Sequence, residues 1–381
     1  MLFYVAMRTV PILLLMLVLQ AAAGQAPKQA PSADVDELLR AGIAASQHGD
    51  YRSAIQDFRQ VLAMRPEMVE ARVGLGAALA ATGQFDAAIE EDLRALASTP
   101  DKTAARMNLG LAYYKKGDLA HAREQLETVH LATPLDLPAA ILLATVYIQM
   151  GREADAVDLL MPLEPQNESN MKLEYVLAFS LIQSGRDKEG VPRMEKFAKA
   201  THSANAYVIA GSALLHRGEM TSAQPDLKAA MQLDPSIPGL STMVGQAQYA
   251  LGDMKAATVA FQAALRQNPQ DFDANVDLGA IRSKEHDYAN ARPLLELALE
   301  LNPKSPLARM EMAKLDVATG RYTEAAAALE ELVKAEPNWL DAHWELATAY
   351  FELDRPEEGK RERMIAQELK ARQVIKEPDS K

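Results

Sequence analysis

Residues 103–136 read TAARMNLGLAYYKKGDLAHAREQLETVHLATPLD. Apolar residues recur there every three or four positions, the spacing of one helix face, and Gly117 interrupts the pattern half-way. A glycine at that point lets the chain leave a helix through a left-handed residue without a Cβ penalty. Pro134 then closes the second half, because proline has no N–H to continue the ladder. The stretch therefore reads as helix, tight turn, helix. The same punctuation returns every 34 residues at Gly49, Gly83, Gly117, Gly151 and Gly185, then after one 33-residue step at Gly218 and Gly252. His286 and Asp354 stand where two further glycines would fall, and Gly320 restores the residue between them. A fixed period of this length marks stacked supersecondary units. About ten such units fill residues 35 to 373, starting near 35, 69, 103, 137, 171, 204, 238, 272, 306 and 340.

Counted from the start of a unit, position 8 is always Gly or Ala: Gly42, Gly76, Gly110, Ala144, Ala178, Gly211, Gly245, Gly279, Ala313 and Ala347. Position 20 is equally small, as in Ala54, Ala88, Ala122, Gly190 and Gly359, so two helices can approach closely. Prolines 66, 100, 134, 235, 269, 303 and 337 end the second helix of seven units, with Pro165 standing three residues early in the fourth. Leu75, Leu109, Leu143, Leu177 and Val244 at position 7 face Phe58, Leu126, Leu160, Leu227, Phe261, Leu295 and Leu329 at position 24 as the candidate core. No strand-like alternation competes with this pattern.

In these registers the chain resembles the tetratricopeptide repeat family. The third unit carries Leu109, Gly110, Tyr113, Gly117, Asp118, Ala122, Leu126 and Pro134 of the family pattern, and the seventh carries Gly245, Gly252, Asp253, Ala257, Phe261 and Pro269. The resemblance covers about nine-tenths of the chain. It implies an all-α, right-handed superhelical solenoid of about ten helix-turn-helix units, whose repeats line up an extended binding surface. The departures are specific. The aromatic expected at position 4 is replaced by Arg72, Arg106, Glu174 and Asn275; Asp92 replaces the bulky residue at position 24; and the fifth unit is one residue short. Local irregularity is expected near residues 160 to 205. Residues 357–376 read as a charged helix that closes the end of the stack, and 374–381 as a disordered tail.

Before the repeats, Arg8 precedes the apolar run Val10 to Leu19 and the small residues Ala21, Ala22, Ala23 and Gly24. That is the layout of a signal peptide over residues 1–24, and its apolar run is shorter than the ~20 residues that span a bilayer. An uncleaved anchor is the rival reading and the only membrane attachment expected; the start could be Met1 or Met7. Residues 25–34 have the composition of a flexible linker, with Asp34 as candidate N-cap of the first helix. The chain is thus expected to be exported, periplasmic or secreted. It contains no cysteine and hence no disulfide.

The formal net charge is −12 over 381 residues, and the basic residues alternate with acids even in Lys360-Arg361-Glu362-Arg363, so the footprint of a phosphate-binding groove is missing. The seven histidines fall in different units without metal-ligand spacing. Gly74-Leu75-Gly76 sits within a predicted helix and follows no strand, which excludes a dinucleotide loop. Paired acids such as Glu90-Glu91 point about 100° apart on a helix and cannot face one reacting bond. No serine lies in a nucleophile-elbow context. No cofactor is implied, no catalytic residue is assigned, and the chain reads as no enzyme.

On the first helix of each unit, positions 2, 5, 9, 12 and 13 cluster about 120° from the set that faces the unit's own second helix. The family resemblance implies that this cluster lines a concave groove. It is strongly apolar in the third to sixth units, where it comprises Met107, Leu111, Tyr114, Ile141, Ile148, Tyr175, Phe179, Ile182, Val208 and Leu215, edged by Lys115, Gln149, Lys172, Gln183 and Asn205. Aromatics within a polar rim resemble a binding hot spot; burial as ordinary core is the competing reading. The Lys and Asn clamp by which chaperone-tail-binding members of the family grip a terminal carboxylate is missing, since Val73 and Ala77 occupy the positions comparable to it beside Asn108. An extended or helical apolar segment of a partner protein is the expected ligand. The reading is a non-catalytic protein–protein interaction scaffold or adaptor at the cell envelope. The alternative is an accessory subunit of a polysaccharide-export, outer-membrane assembly or transferase machine.

Overall fold

The computed structural model describes residues 33–99 and 103–376. The expected leader, nearly all of the expected linker and most of the tail lie outside the described residues. The chain divides into two compact units, 1–201 and 202–381. In the first, ten α-helices run in order: α1 (Ala33–Gln47), α2 (Tyr51–Met64), α3 (Val69–Ala81), α4 (Phe85–Ser98), α5 (Thr103–Lys116), α6 (Leu119–Ala132), α7 (Leu137–Gln149), α8 (Glu153–Leu160), α9 (Met171–Gln183) and α10 (Asp187–Thr201). The second holds α11 (Ala204–His216), α12 (Met220–Leu233), α13 (Leu240–Ala250), α14 (Met254–Gln267), α15 (Phe272–Lys284), α16 (Tyr288–Leu301), α17 (Pro306–Ala318), α18 (Tyr322–Ala335), α19 (Leu340–Glu352) and α20 (Pro356–Lys376). Among the described residues there is no strand. Within each unit the odd-numbered helix of a repeat packs against its own partner helix and against the neighbouring repeat. The class is the all-α helical repeat expected from the sequence.

Backbone geometry explains the period. Gly49, Gly83, Gly117, Gly151, Gly185, Gly218, Gly252 and Gly320 all have φ between 71° and 87° at the turn inside each repeat. His286 and Asp354, which replace the glycine in two repeats, adopt the same left-handed conformation at φ 61° and 56°. The register is therefore set by the turn, and a side chain is tolerated there at the cost of local strain. Prolines 66, 134, 235, 269, 303 and 337 each fall two residues after the last helical residue. Side-chain caps satisfy open N–H groups at many helix starts: Asp118 accepts from the N–H of His121, Asp253 from that of Ala256 and Asp271 from that of Ala274, at 3.0–3.2 Å. The first helix begins at Ala33, so Asp34 lies inside it and is not its cap.

The core is built from the position-8 and position-24 pair. A Cβ on Gly110 would lie 2.7 Å from Leu126 Cγ, and one on Gly245 would lie 2.6 Å from Phe261 Cε1. The small residue at position 8 thus makes room for the large side chain one helix away, and Phe58, Leu126, Leu227, Phe261, Leu295 and Leu329 are fully buried. Each such side chain contributes roughly 1.5–3 kcal/mol of burial.

The irregularity expected around 160–205 is present. Helix α8 is only eight residues long and continues as a 3-10 turn, Met161–Gln166, that contains Pro165. Helix α10 is 15 residues long and carries Pro192 inside it. There the buried Glu174 is approached by Arg193 at 3.8 Å and Lys196 at 3.5 Å, while Arg193 also pairs with Glu164.

Polar residues at position 4 act as struts where the aromatic is missing. Arg72 donates to Glu91 at 2.8 Å and to the Pro66 carbonyl, and Arg106 to Gln125 at 2.8 Å. Asn275 donates to the Pro269 carbonyl, and His343 lies between Glu362 and the Pro337 carbonyl. Four of these side chains therefore tie their helix to the following helix or to the preceding proline-terminated turn.

Candidate functional site

Helices α5, α7 and α9 of the first unit carry eight of the ten expected groove residues. Successive positions 5, 9 and 12 fall on one helix face because 3.6 residues make a turn. On α5, Met107, Leu111 and Tyr114 are half-buried and pack against the buried cluster of Ala122, Leu126, Leu142, Leu143 and Val146. On α7, Ile141 is half-buried, whereas Ile148 is 6% exposed. On α9, Tyr175 is half-buried, whereas Phe179 and Ile182 are 4% and 7% exposed. Ile182 is held under α10, since a Cβ on Gly190 would lie 2.7 Å from its Cγ1. Ile148, Phe179 and Ile182 thus form the floor, while Met107, Leu111, Tyr114, Ile141 and Tyr175 keep accessible surface. Val208 and Leu215 are half-buried on α11 of the second unit.

Two interactions shape the face. Gln149 Nε2 donates to the Tyr114 hydroxyl at 3.1 Å, a rung between the neighbouring helices α7 and α5. Tyr175 stacks on Phe179 with ring centroids 6.3 Å apart and meets Phe197 of α10 at a 50° tilt with centroids 5.0 Å apart. Phe197 lies outside the groove positions read from the sequence, and its place within the stretch near 160 to 205, where irregularity is expected, is the sequence signal that bears on it. Burial raises the Tyr114 and Tyr175 hydroxyls above the ordinary phenol range and lowers the Lys115 ammonium. Lys115 lies 6.0 Å from the Tyr114 ring centroid. The face therefore offers aromatic and aliphatic surface beside cations and amides, with Lys172 and Gln183 exposed at its edge.

Later repeats of the second unit carry acids at position 2 or 6 of their first helices. Asp273, Asp277, Glu311, Asp341 and Glu345 project from α15, α17 and α19, with Lys314 bonded to Glu311 at 2.8 Å. Burial, reinforced by Asp273, Glu311 and Asp271 and eased by the Gln246 amide, pushes the Asp277 carboxyl up to about 6. Elsewhere in this unit an apolar cavity of about 430 Å³ opens between α12 and α13, lined by Leu227, Met231, Val244 and Ala247. Among the described residues no group of three or more His, Cys, Asp or Glu side chains could hold a metal, and no helix is long and apolar enough to cross a membrane.

Taken together, the paired helices, left-handed turns and 8/24 packing define a helical-repeat protein. Two family models, both described as tetratricopeptide repeat, match residues 39–103, 93–134 and 242–306, and residues 283–350 and 317–362. They cover more than half of the chain, which belongs to the tetratricopeptide repeat family. The matched stretches leave out 135–241, the part with the short α8 and the proline-containing α10. No curated protein matches. Among solved structures, a tetratricopeptide repeat protein from Parabacteroides merdae is 16% identical with a TM-score of 0.47, over 65% of this chain and 98% of its own. YrrB, described as having an unusual peptide-binding site, is 19% identical with a TM-score of 0.43, over 49% of this chain and 97% of its own. MamA from Desulfovibrio magneticus is 23% identical with a TM-score of 0.39, over 45% and 96% respectively.

Proposed function

We propose that this chain is a non-catalytic scaffold that binds a protein segment against the face of α5, α7 and α9, and that it works at the cell envelope. The observation that carries the binding reading is the set of five large side chains, Met107, Leu111, Tyr114, Ile141 and Tyr175, which stay only half-buried above a fully packed floor. Apolar side chains of that size are usually covered, and aromatic anchors edged by polar groups are where binding energy concentrates. Lys115, Lys172 and Gln149 at the rim suit a ligand that presents backbone carbonyls or a few acidic groups beside its apolar face. The envelope location is supported by the signal-peptide layout of residues 1–24.

The test uses a photo-cross-linking amino acid placed, in intact cells, at Lys115 or Lys172 on the rim, and at Thr128 on the exposed side of α6 as control. One stoichiometric partner should be captured from the rim positions alone, and lost when Tyr114→Ala and Tyr175→Ala are combined. Equal capture from Thr128, or capture indifferent to the two tyrosines, refutes the binding face. N-terminal sequencing of the mature chain addresses export separately, with a start after Ala23 or Gly24 expected.

A further inference from the structure

We propose that Asp92 makes the α3–α4 repeat a proton-gated joint, closed while its carboxyl carries a proton and loosened when it ionises. Asp92 occupies position 24, the socket that Phe58, Leu126, Leu227, Phe261 and Leu295 fill in other repeats. Its residue exposure is 0%, and neither carboxyl oxygen has a hydrogen-bond partner. The facing helix offers no room and no donor: a Cβ on Gly76 would lie 2.5 Å from Oδ1 and 2.8 Å from Cγ. A charge held there would lack both water and a counter-ion, an arrangement that proteins avoid by neutralising the group.

The surrounding charges give no rescue. On α3, Arg72 is engaged by Glu91 and the Pro66 carbonyl, and Glu70 carries the wrong sign. On α5, Arg106 donates to Gln125, Lys116 reaches Asp86, and the nearby Asn108 amide donates to the Val73 carbonyl at 3.2 Å. On α4 itself, Arg94 pairs with Glu90 and Glu91. Burial accordingly pushes the Asp92 carboxyl well above the usual range; the Asn108 amide offsets part of this and the Glu91 charge adds to it.

The sign follows from linkage. When this repeat opens above about pH 4, Asp92 meets water and loses a proton that the closed form retains. Opening is then favoured tenfold per pH unit until the closed form ionises too. Because repeats contact only their neighbours, such an opening can stay local.

The experiment is hydrogen exchange on the full-length chain from pH 4.5 to 7.5, corrected for intrinsic rates, with opening constants of α3 and α4 compared between wild type and Asp92→Asn. The wild-type to variant ratio should rise about tenfold per pH unit over the lower part of this range, with no such rise in α13–α20. A ratio that is flat with pH overturns the proposal. If Asp92→Asn does not fold, Asp92→Leu, the side chain other repeats use, serves in its place. The ¹³C shift of the wild-type Asp92 carboxyl gives an independent reading: its midpoint should lie well above the ordinary carboxylate range, and a midpoint within that range, near 4, overturns the proposal.

Discussion

Replacing Gly245 by Ala tests the packing rule that underlies the whole repeat. The added methyl would stand 2.6, 2.7 and 2.9 Å from Cε1, Cδ1 and Cζ of Phe261, roughly 1 Å inside ordinary carbon contact. Phe261 cannot retreat, because it is fully buried among Ala257, Ala264, Ala274, Leu278 and Ile281. Overpacking of this kind costs about 1–3 kcal/mol, and the better helix propensity of alanine returns at most about 1 kcal/mol. A net loss of about 1–2 kcal/mol is expected. The repeats themselves supply the rescue: Ala144 faces Leu160 and Ala313 faces Leu329, so Phe261→Leu in the Gly245→Ala background should restore part of the loss. Denaturant unfolding of the four proteins in the double-mutant cycle should show a favourable coupling of about 1 kcal/mol or more. An alanine variant as stable as wild type, or a strictly additive cycle, refutes the proposed 8/24 pairing.

His286→Gly should raise stability by about 0.5–1 kcal/mol, since it relieves a left-handed φ of 61° and gives back part of the gain as unfolded-chain entropy; a loss in the denaturation midpoint contradicts this. Asp277→Asn should be stabilising in a pH-dependent way. The wild-type carboxyl, with its midpoint raised to about 6, contributes stability that is complete below about pH 4 and is lost as pH rises through 6. The gain should therefore grow to roughly 2–3 kcal/mol by pH 7 and then level off, and a gain that is constant from pH 4 to 7 excludes that assignment. Arg193→Ala should cost about 2 kcal/mol, because Glu174 would remain buried with Lys196 as its only nearby cation. Thermal unfolding within 1 °C of wild type would rule this out.

Much of the fold was legible because its signals are local and repeated. One glycine, one proline and two small residues per 34 positions fix turn, stop and helix approach, and ten copies average out local exceptions. His286 and Asp354 illustrate this: the period required a left-handed turn where no glycine announced it, and both residues adopt one. Single positions were less legible. The sequence marked Arg72, Arg106, Glu174, Asn275 and Asp92 as departures. Whether such a residue becomes a strut, as Arg72 does with Glu91, or an unpartnered buried carboxyl, as Asp92 does, depends on what the neighbouring helix presents. Helical periodicity likewise placed Tyr114, Tyr175, Phe179 and Ile182 on one stripe. Exposure then separates accessible wall from packed floor, and that separation is set by Gly190 and Phe197 on a different helix.

The central claim is that the half-buried face of α5, α7 and α9 holds a partner segment. The most direct measurement is the affinity of the cross-linked partner segment for the full-length chain and for its Tyr114→Ala, Tyr175→Ala variant, with far-UV circular dichroism on both. Removing two aromatic anchors should weaken binding at least tenfold with helicity unchanged. Equal affinity for the two proteins would contradict the account.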